Sequence, residues 1–188
     1  MGKRLVAKSM DDRAGVLVAI ESMRRLAGRP ARAGDAGSGP NEVFFVFTVQ
    51  EETGKRGATV SAYGVDPEIG LAIDVTPTGD TPGAVQRDIA LGKGPAIKVK
   101  DASMLADPRV VDWMTRTAEK NRIPFQREVL AGASTDARAI QLTRAGVLAG
   151  GLGIPCRYVH TPSEMVDIDD LENAIALLTA LLSKPVGI

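Results

Sequence analysis

Several residue types are scarce in this chain, and each scarcity excludes something. A single cysteine, Cys156, in 188 residues rules out an internal disulfide framework and fits a reducing compartment. Beside Pro155 it reads as a small buried apolar residue. Charge of either sign is not in excess, with 23 basic and 23 acidic residues, and no basic stripe alternates with aromatics. Nucleic acid and anionic membrane are therefore not expected partners. One Trp and two Tyr supply no aromatic platform for a polysaccharide. No apolar run is long enough for a signal peptide or a membrane span, so the chain reads as cytoplasmic. There is one histidine, His160, which confines imidazole chemistry to one position.

What is present is a balanced globular composition, 44% apolar, enough to bury one core. Residues 1–188 therefore read as a single domain. Short buried strands alternate with amphipathic helices, the pattern of an α/β layer fold. Val16, Ile20, Met23 and Ala27 recur at helical spacing after Asp12 and predict a helix ended by Gly28. Residues from about 28 to 42, rich in Gly, Pro, Ala and Arg, read as a flexible loop. Val43 to Val49 is apolar on both alternating faces and predicts a central strand covered above and below, delivering Gln50-Glu51-Glu52 to the sheet edge. A short helix follows around Thr59 to Tyr63, then a buried strand from Ile69 to Ile73 that stops at Asp74.

Farther on, strands are expected at Ala96–Lys100 and Phe125–Leu130, with a helix over Pro108–Asn121 between them. Ser134 or Thr135 caps a helix to about Ala145. A glycine-rich strand then runs from Gly146 toward Arg157-Tyr158-Val159-His160. The final helix, from Asp167 or Ile168 to Ser183, puts Leu171, Ala174, Ile175, Leu178 and Leu182 on one stripe above an acidic first turn.

Six positions invite a chemical reading: Asp11, Asp12, Glu51, Glu52, Asp74 and His160. Each has a plain alternative. The aspartates at 11 and 12 suit a helix cap, the glutamates a solvated turn, and Asp74 and His160 ordinary structural places. Yet most of them lie where a strand or turn meets a helix, at the sheet edge where α/β folds bind ligands. Gathered without a cation, so many carboxylates would raise one another's pKa. Imidazole and carboxylate are also donors for zinc or cobalt. Adjacent glutamates permit one to bind metal while the other stays free as a general base.

Ala7 to Gly15 around Asp11-Asp12, Gln50 to Gly54, Ile73 to Thr76, Gly79 to Gly83, Gly92 to Pro95, Ser134 to Ala137 and Ile154 to His160 together resemble the M42 glutamyl aminopeptidases, including the tetrahedral aminopeptidases. The resemblance runs in unbroken order from about Arg4 to the C-terminus. It implies a zinc-peptidase-like α/β domain, a three-layer mixed sheet flanked by helices and missing the first strands of the family domain. It also implies a metalloaminopeptidase that removes N-terminal residues from peptides, using metal-activated water. Asp11 is then the bridge between two divalent ions, Zn or Co. Glu52 and His160 complete one metal site, Asp74 belongs to the other, and Glu51 is the general base. Asp12, joined to the bridge by what in related enzymes is a strained peptide bond, orients neighbouring groups. Arg13, Asp136 and Arg157 lie in family motifs and read as ion-pair supports.

The sequence departs from the family pattern in two ways. The family takes a second histidine from an N-terminal segment, and inserts a dimerisation domain before the Asp-Asp motif; neither is in this sequence. The expectation is a partial catalytic domain with one complete metal site and one weakened site. It would work as a homo-oligomer or with a complementing N-terminal segment, or else persist as a truncated, catalytically impaired metal-binding remnant. Unpaired edges or uncovered apolar faces should favour self-association.

Overall fold

A computed structural model describes residues 2–28 and 40–188. The alternation of strands and helices builds a six-stranded mixed sheet. Its elements are β1 (Arg4–Ala7), α1 (Met10–Ala27), α2 (Arg56–Val65), β2 (Ile69–Pro77), β3 (Ala96–Lys100), α3 (Pro108–Asn121), β4 (Gln126–Val129), α4 (Ala137–Gln141), β5 (Leu148–Arg157), β6 (Glu164–Asp167) and α5 (Ile168–Leu182).

β5 is the hub. On one side it runs parallel to β2, from Ile69 opposite Leu148 to Pro77 opposite Cys156. On the other it pairs antiparallel with β3 near its middle and with β6 near its end. β4 extends the sheet beyond β3, and β1 beyond β6. One face is packed by α1, α3 and α5 around Val18, Ile97, Met114, Leu152, Ile154 and Leu177. The other is packed by α4, with α2 against it, over a smaller cluster at Ala72, Met104, Ala106 and Ala137. This is the three-layer mixed arrangement expected of the fold.

The glycines of β5 are required by close approach. A Cβ on Gly150 would sit 2.7 Å from Val110 of α3, and one on Gly151 would sit 3.1 Å from the Cβ of Lys98. Small residues in the hub strand let α3 press on one face while Lys98 lies across the other. Lys98 and Glu128 are 1% and 3% exposed, and form an ion pair to which the Thr76 hydroxyl also donates through Glu128.

Four expectations need correcting. Val16, Ile20 and Met23 are not the buried stripe of α1; they are 40%, 36% and 38% exposed, and Ala14, Gly15, Val18, Ala19 and Ser22 face inward. Both stripes are helical in period, and the one with small residues won because α1 packs close against α5, where the Ser22 hydroxyl donates to the Ile175 carbonyl.

Val43–Val49 is not a covered central strand. It joins no ladder among the described residues, and Phe44, Phe47 and Val49 are 50% exposed or more. Apolar content signals a demand for burial, and it does not supply the neighbours that satisfy it. Phe45 alone of its phenylalanines packs on the main core. The segment's far end is held by Thr48, whose hydroxyl donates to Asp136 at 2.6 Å, and by the Val49 carbonyl, which accepts from Gly57 N–H.

β2 also continues past Asp74 to Pro77, because β5 offers a parallel partner along that whole length. The helix after Thr135 is short, Ala137–Gln141, ending far before Ala145. Most of the expected 28–42 loop lies outside the described residues; at its far end, the Asn41 amide donates to the carbonyls of Leu182 and Lys184.

Candidate metal centre

Three chain turns bring the acidic residues together, and the backbone at each is unusual. Ser9, Gln50 and His160 have φ of 61°, 61° and 63°, in the left-handed region that is costly for residues with a side chain. Each immediately precedes or carries a candidate ligand segment. The Asp11–Asp12 peptide bond is cis.

Asp11 and Asp12 sit at the mouth of α1, where neither has helical dihedrals. The regular helix therefore starts after them. The Asp12 carboxylate accepts from the Gly15 N–H at 2.9 Å, so it does cap the helix. It also fills the space a larger residue 15 would need, since a Cβ there would lie 2.2 Å from an Asp12 oxygen.

His160 reaches this mouth from the turn after β5. Its Nε2 is 3.1 Å from Asp11 Oδ2 and 3.2 Å from Glu52 Oε1. Asp11, Glu52 and His160 each offer a ligand atom within 4.8 Å of the others. A second group, Asp11, Asp12 and Asp74, meets the same spacing. Asp11 belongs to both. The first group lies at an open surface, with the His160 and Glu52 side chains 67% and 60% exposed.

The electrostatics match a cluster in want of a cation. Burial, followed by the charge of Glu52, raises the Asp11 carboxyl to about 6. Burial pushes Asp12 up to about 8 and Asp74 to about 9, with neighbouring carboxylates of the cluster adding to both, against the N–H bonds from Gly15 and Val75. Like charges packed in a low-dielectric pocket disfavour ionisation, and a dication reverses that balance. Glu51 has a cation of its own: Lys55 Nζ lies 3.1 Å from its buried Oε1. The donor set fits a carboxylate–imidazole metal centre.

All six residues singled out from the sequence thus border one region. Of the supporting residues, Arg157 does form an ion pair, with Asp80. Asp136 accepts from the Thr48 hydroxyl instead, and Arg13 makes no ion pair among the described residues. Glu164 escaped sequence reading. It is 2% exposed and accepts backbone N–H bonds from both Asp11 and His160. Its only sequence signal is its place four residues after the histidine, and nothing there separates it from a surface glutamate. Lys55, one turn from Glu51, was missed for the same reason.

The fold and site define a metallopeptidase-type α/β domain. Residues 1–177 match the model of the M42 glutamyl aminopeptidase family, and the chain belongs to that family. A putative aminopeptidase of Acetivibrio thermocellus is 40% identical over 177 residues, covering 94% of this chain and 51% of that protein. The solved structure of an aminopeptidase from the archaeon Desulfurococcus kamchatkensis is 41% identical, with a TM-score of 0.87 over 97% of this chain and 50% of that one. The Pyrococcus horikoshii TET1 peptidase, described as assembling into a tetrahedron or a large octahedral shell, is 32% identical with a TM-score of 0.80, over 96% of this chain and 50% of that one. This chain therefore spans about half the length of the relatives it matches. Among the described residues no helix is long and apolar enough to cross a membrane.

Proposed function

We propose that this chain carries the working centre of a metal-dependent aminopeptidase that releases N-terminal residues from peptides. The observation that carries the reading is the convergence of the only imidazole in the sequence on Asp11 and Glu52, at 3.1 and 3.2 Å. Asp11, Glu52 and His160 hold one divalent ion, zinc or cobalt. Asp74, sharing Asp11, holds a second one more weakly, because its group among the described residues is made of carboxylates alone. The ions, when bound, supply Lewis acidity toward a carbonyl and toward water.

The protein's own residues do the rest. Glu51, whose side chain is 28% exposed, takes a proton from the attacking water and returns it to the leaving amine. Lys55 beside it keeps that carboxylate oriented. Asp12, held by Gly15 N–H, orients the start of α1 and so Asp11, which belongs to both groups. Carboxylates left over near the ions receive the ammonium of the substrate N-terminus. The lone cysteine supports a cytoplasmic setting, and the shells described for the P. horikoshii relative support a homo-oligomer.

The test is hydrolysis of aminoacyl p-nitroanilides by the purified chain with zinc or cobalt. Release of nitroaniline that stops on chelation is the expected result. A second reading, a catalytically impaired metal-binding remnant or a subunit needing a partner segment, is motivated by the second group, which among the described residues holds carboxylates alone. It requires metal binding with no product under any metal, and that outcome would overturn the first reading.

A further inference from the structure

Glu164 is nearly sealed from solvent, at 2% exposure, on the short strand β6, where it pairs with Ala7 of β1. No lysine or arginine among the described residues lies within ion-pair distance of it. A buried carboxylate without a cation must be held by hydrogen bonds, and two are present: Oε1 accepts from the His160 N–H at 2.8 Å, and Oε2 from the Asp11 N–H at 3.1 Å. Both donors are the backbones of residues whose side chains meet at the metal centre. His160 has φ of 63°, a left-handed conformation uncommon for residues with a side chain.

We propose that Glu164 is a positioning residue for the metal centre, a two-pronged clamp that sets the distance between the Asp11 and His160 backbones before any ion arrives. This rests on the reading of Asp11 and His160 as ligands. The two oxygens of one carboxylate have a fixed separation, so whatever satisfies both N–H groups also fixes how far apart the two ligand segments lie. A glutamine of the same size offers one acceptor and one donor, which turns one clamp contact into a donor facing a donor. Aspartate keeps two acceptors but is a methylene too short to reach both.

Cobalt binding by the full chain tests this, followed by its visible absorption and by competition with a chelator, in the unmodified protein, Glu164→Gln, Asp101→Asn and His160→Ala. Asp101 is the control for a structural effect. It is a 1% exposed carboxylate that accepts N–H bonds from Ser103, Met104 and Thr135, none of them in the cluster.

The expected result is that Glu164→Gln keeps its far-ultraviolet dichroism and binds cobalt about 10- to 100-fold more weakly, with altered absorption bands. Asp101→Asn should melt at a lower temperature and bind cobalt unchanged. Equal affinity for Glu164→Gln and the unmodified protein would overturn the proposal, as would an equal loss in both glutamine and asparagine variants. If the unmodified protein bound no cobalt, or His160→Ala bound it undiminished, the metal reading itself would fall, and the clamp with it. Should Glu164→Gln not fold, amide exchange in the unmodified protein decides: matched protection at Asp11 and His160 is expected, and exchange at the rate of an open turn at both would overturn the clamp.

Discussion

Arg157, the last residue of β5, holds Asp80 in a forked contact: Nε to Oδ1 at 2.9 Å and Nη2 to Oδ2 at 2.8 Å. Leu91 N–H donates to the same carboxylate. These bonds, the guanidinium foremost, hold the Asp80 carboxyl down at about 2. Its folded pKa lies below its unfolded value, so the stabilisation is complete above about pH 4 and disappears as pH falls toward 2. Asp80→Asn should cost about 1 to 2 kcal/mol at pH 7, allowing for partial exposure. Urea unfolding of both proteins at pH 7 and pH 2 checks this; a gap that persists undiminished at pH 2 would contradict it.

Glu51→Gln should lower turnover by about two to four orders of magnitude and leave metal content nearly unchanged. Elemental analysis beside the p-nitroanilide assay separates the two effects. If metal and activity fell together, Glu51 would be a ligand and not the base.

The two ions should respond to different residues. His160→Ala and Glu52→Gln should remove the tighter ion, whereas Asp74→Asn should remove the weaker one and spare the tighter. Zinc at a hundred times its dissociation constant should stabilise the unmodified chain by about 2.7 kcal/mol. Calorimetric titration gives the stoichiometry of each variant, and an identical curve for Asp74→Asn and the unmodified protein would remove Asp74 from the centre.

Lys98→Met leaves the Glu128 carboxylate buried without its cation and should destabilise the fold by about 3 to 5 kcal/mol. Replacing both, as Lys98→Met with Glu128→Leu, should recover much of that loss, since the desolvation of two charges is then relieved. Equal stability of the single and double variants would mean that an unpaired Glu128 charge is not what destabilises Lys98→Met.

Exposed Phe44 and Phe47, 57% and 50% accessible, lie on a segment whose backbone joins no ladder among the described residues. Large uncovered apolar surfaces and unpaired edges promote association. Sedimentation should show concentration-dependent self-association of the chain, reduced by Phe44→Lys and Phe47→Lys together. Unchanged sedimentation of that variant would place the contact elsewhere.

The amino-acid sequence by itself determined many of the local elements and the set of candidate residues. Pro108–Asn121 and Ala96–Lys100 formed where their patterns predicted, because hydrophobic period, a capping Asp107 and a proline at the first turn act within a few residues. The six acid and imidazole positions were legible as candidates because they stand in short motifs at turns and element ends. Tertiary structure alone decided which stripe of α1 is buried, that Val43–Val49 has no ladder partner, and that Glu164 ties together two segments far apart in the chain. Those outcomes depend on which surfaces and amides the fold brings opposite one another, and a one-dimensional pattern states a residue's needs without naming the neighbour that meets them.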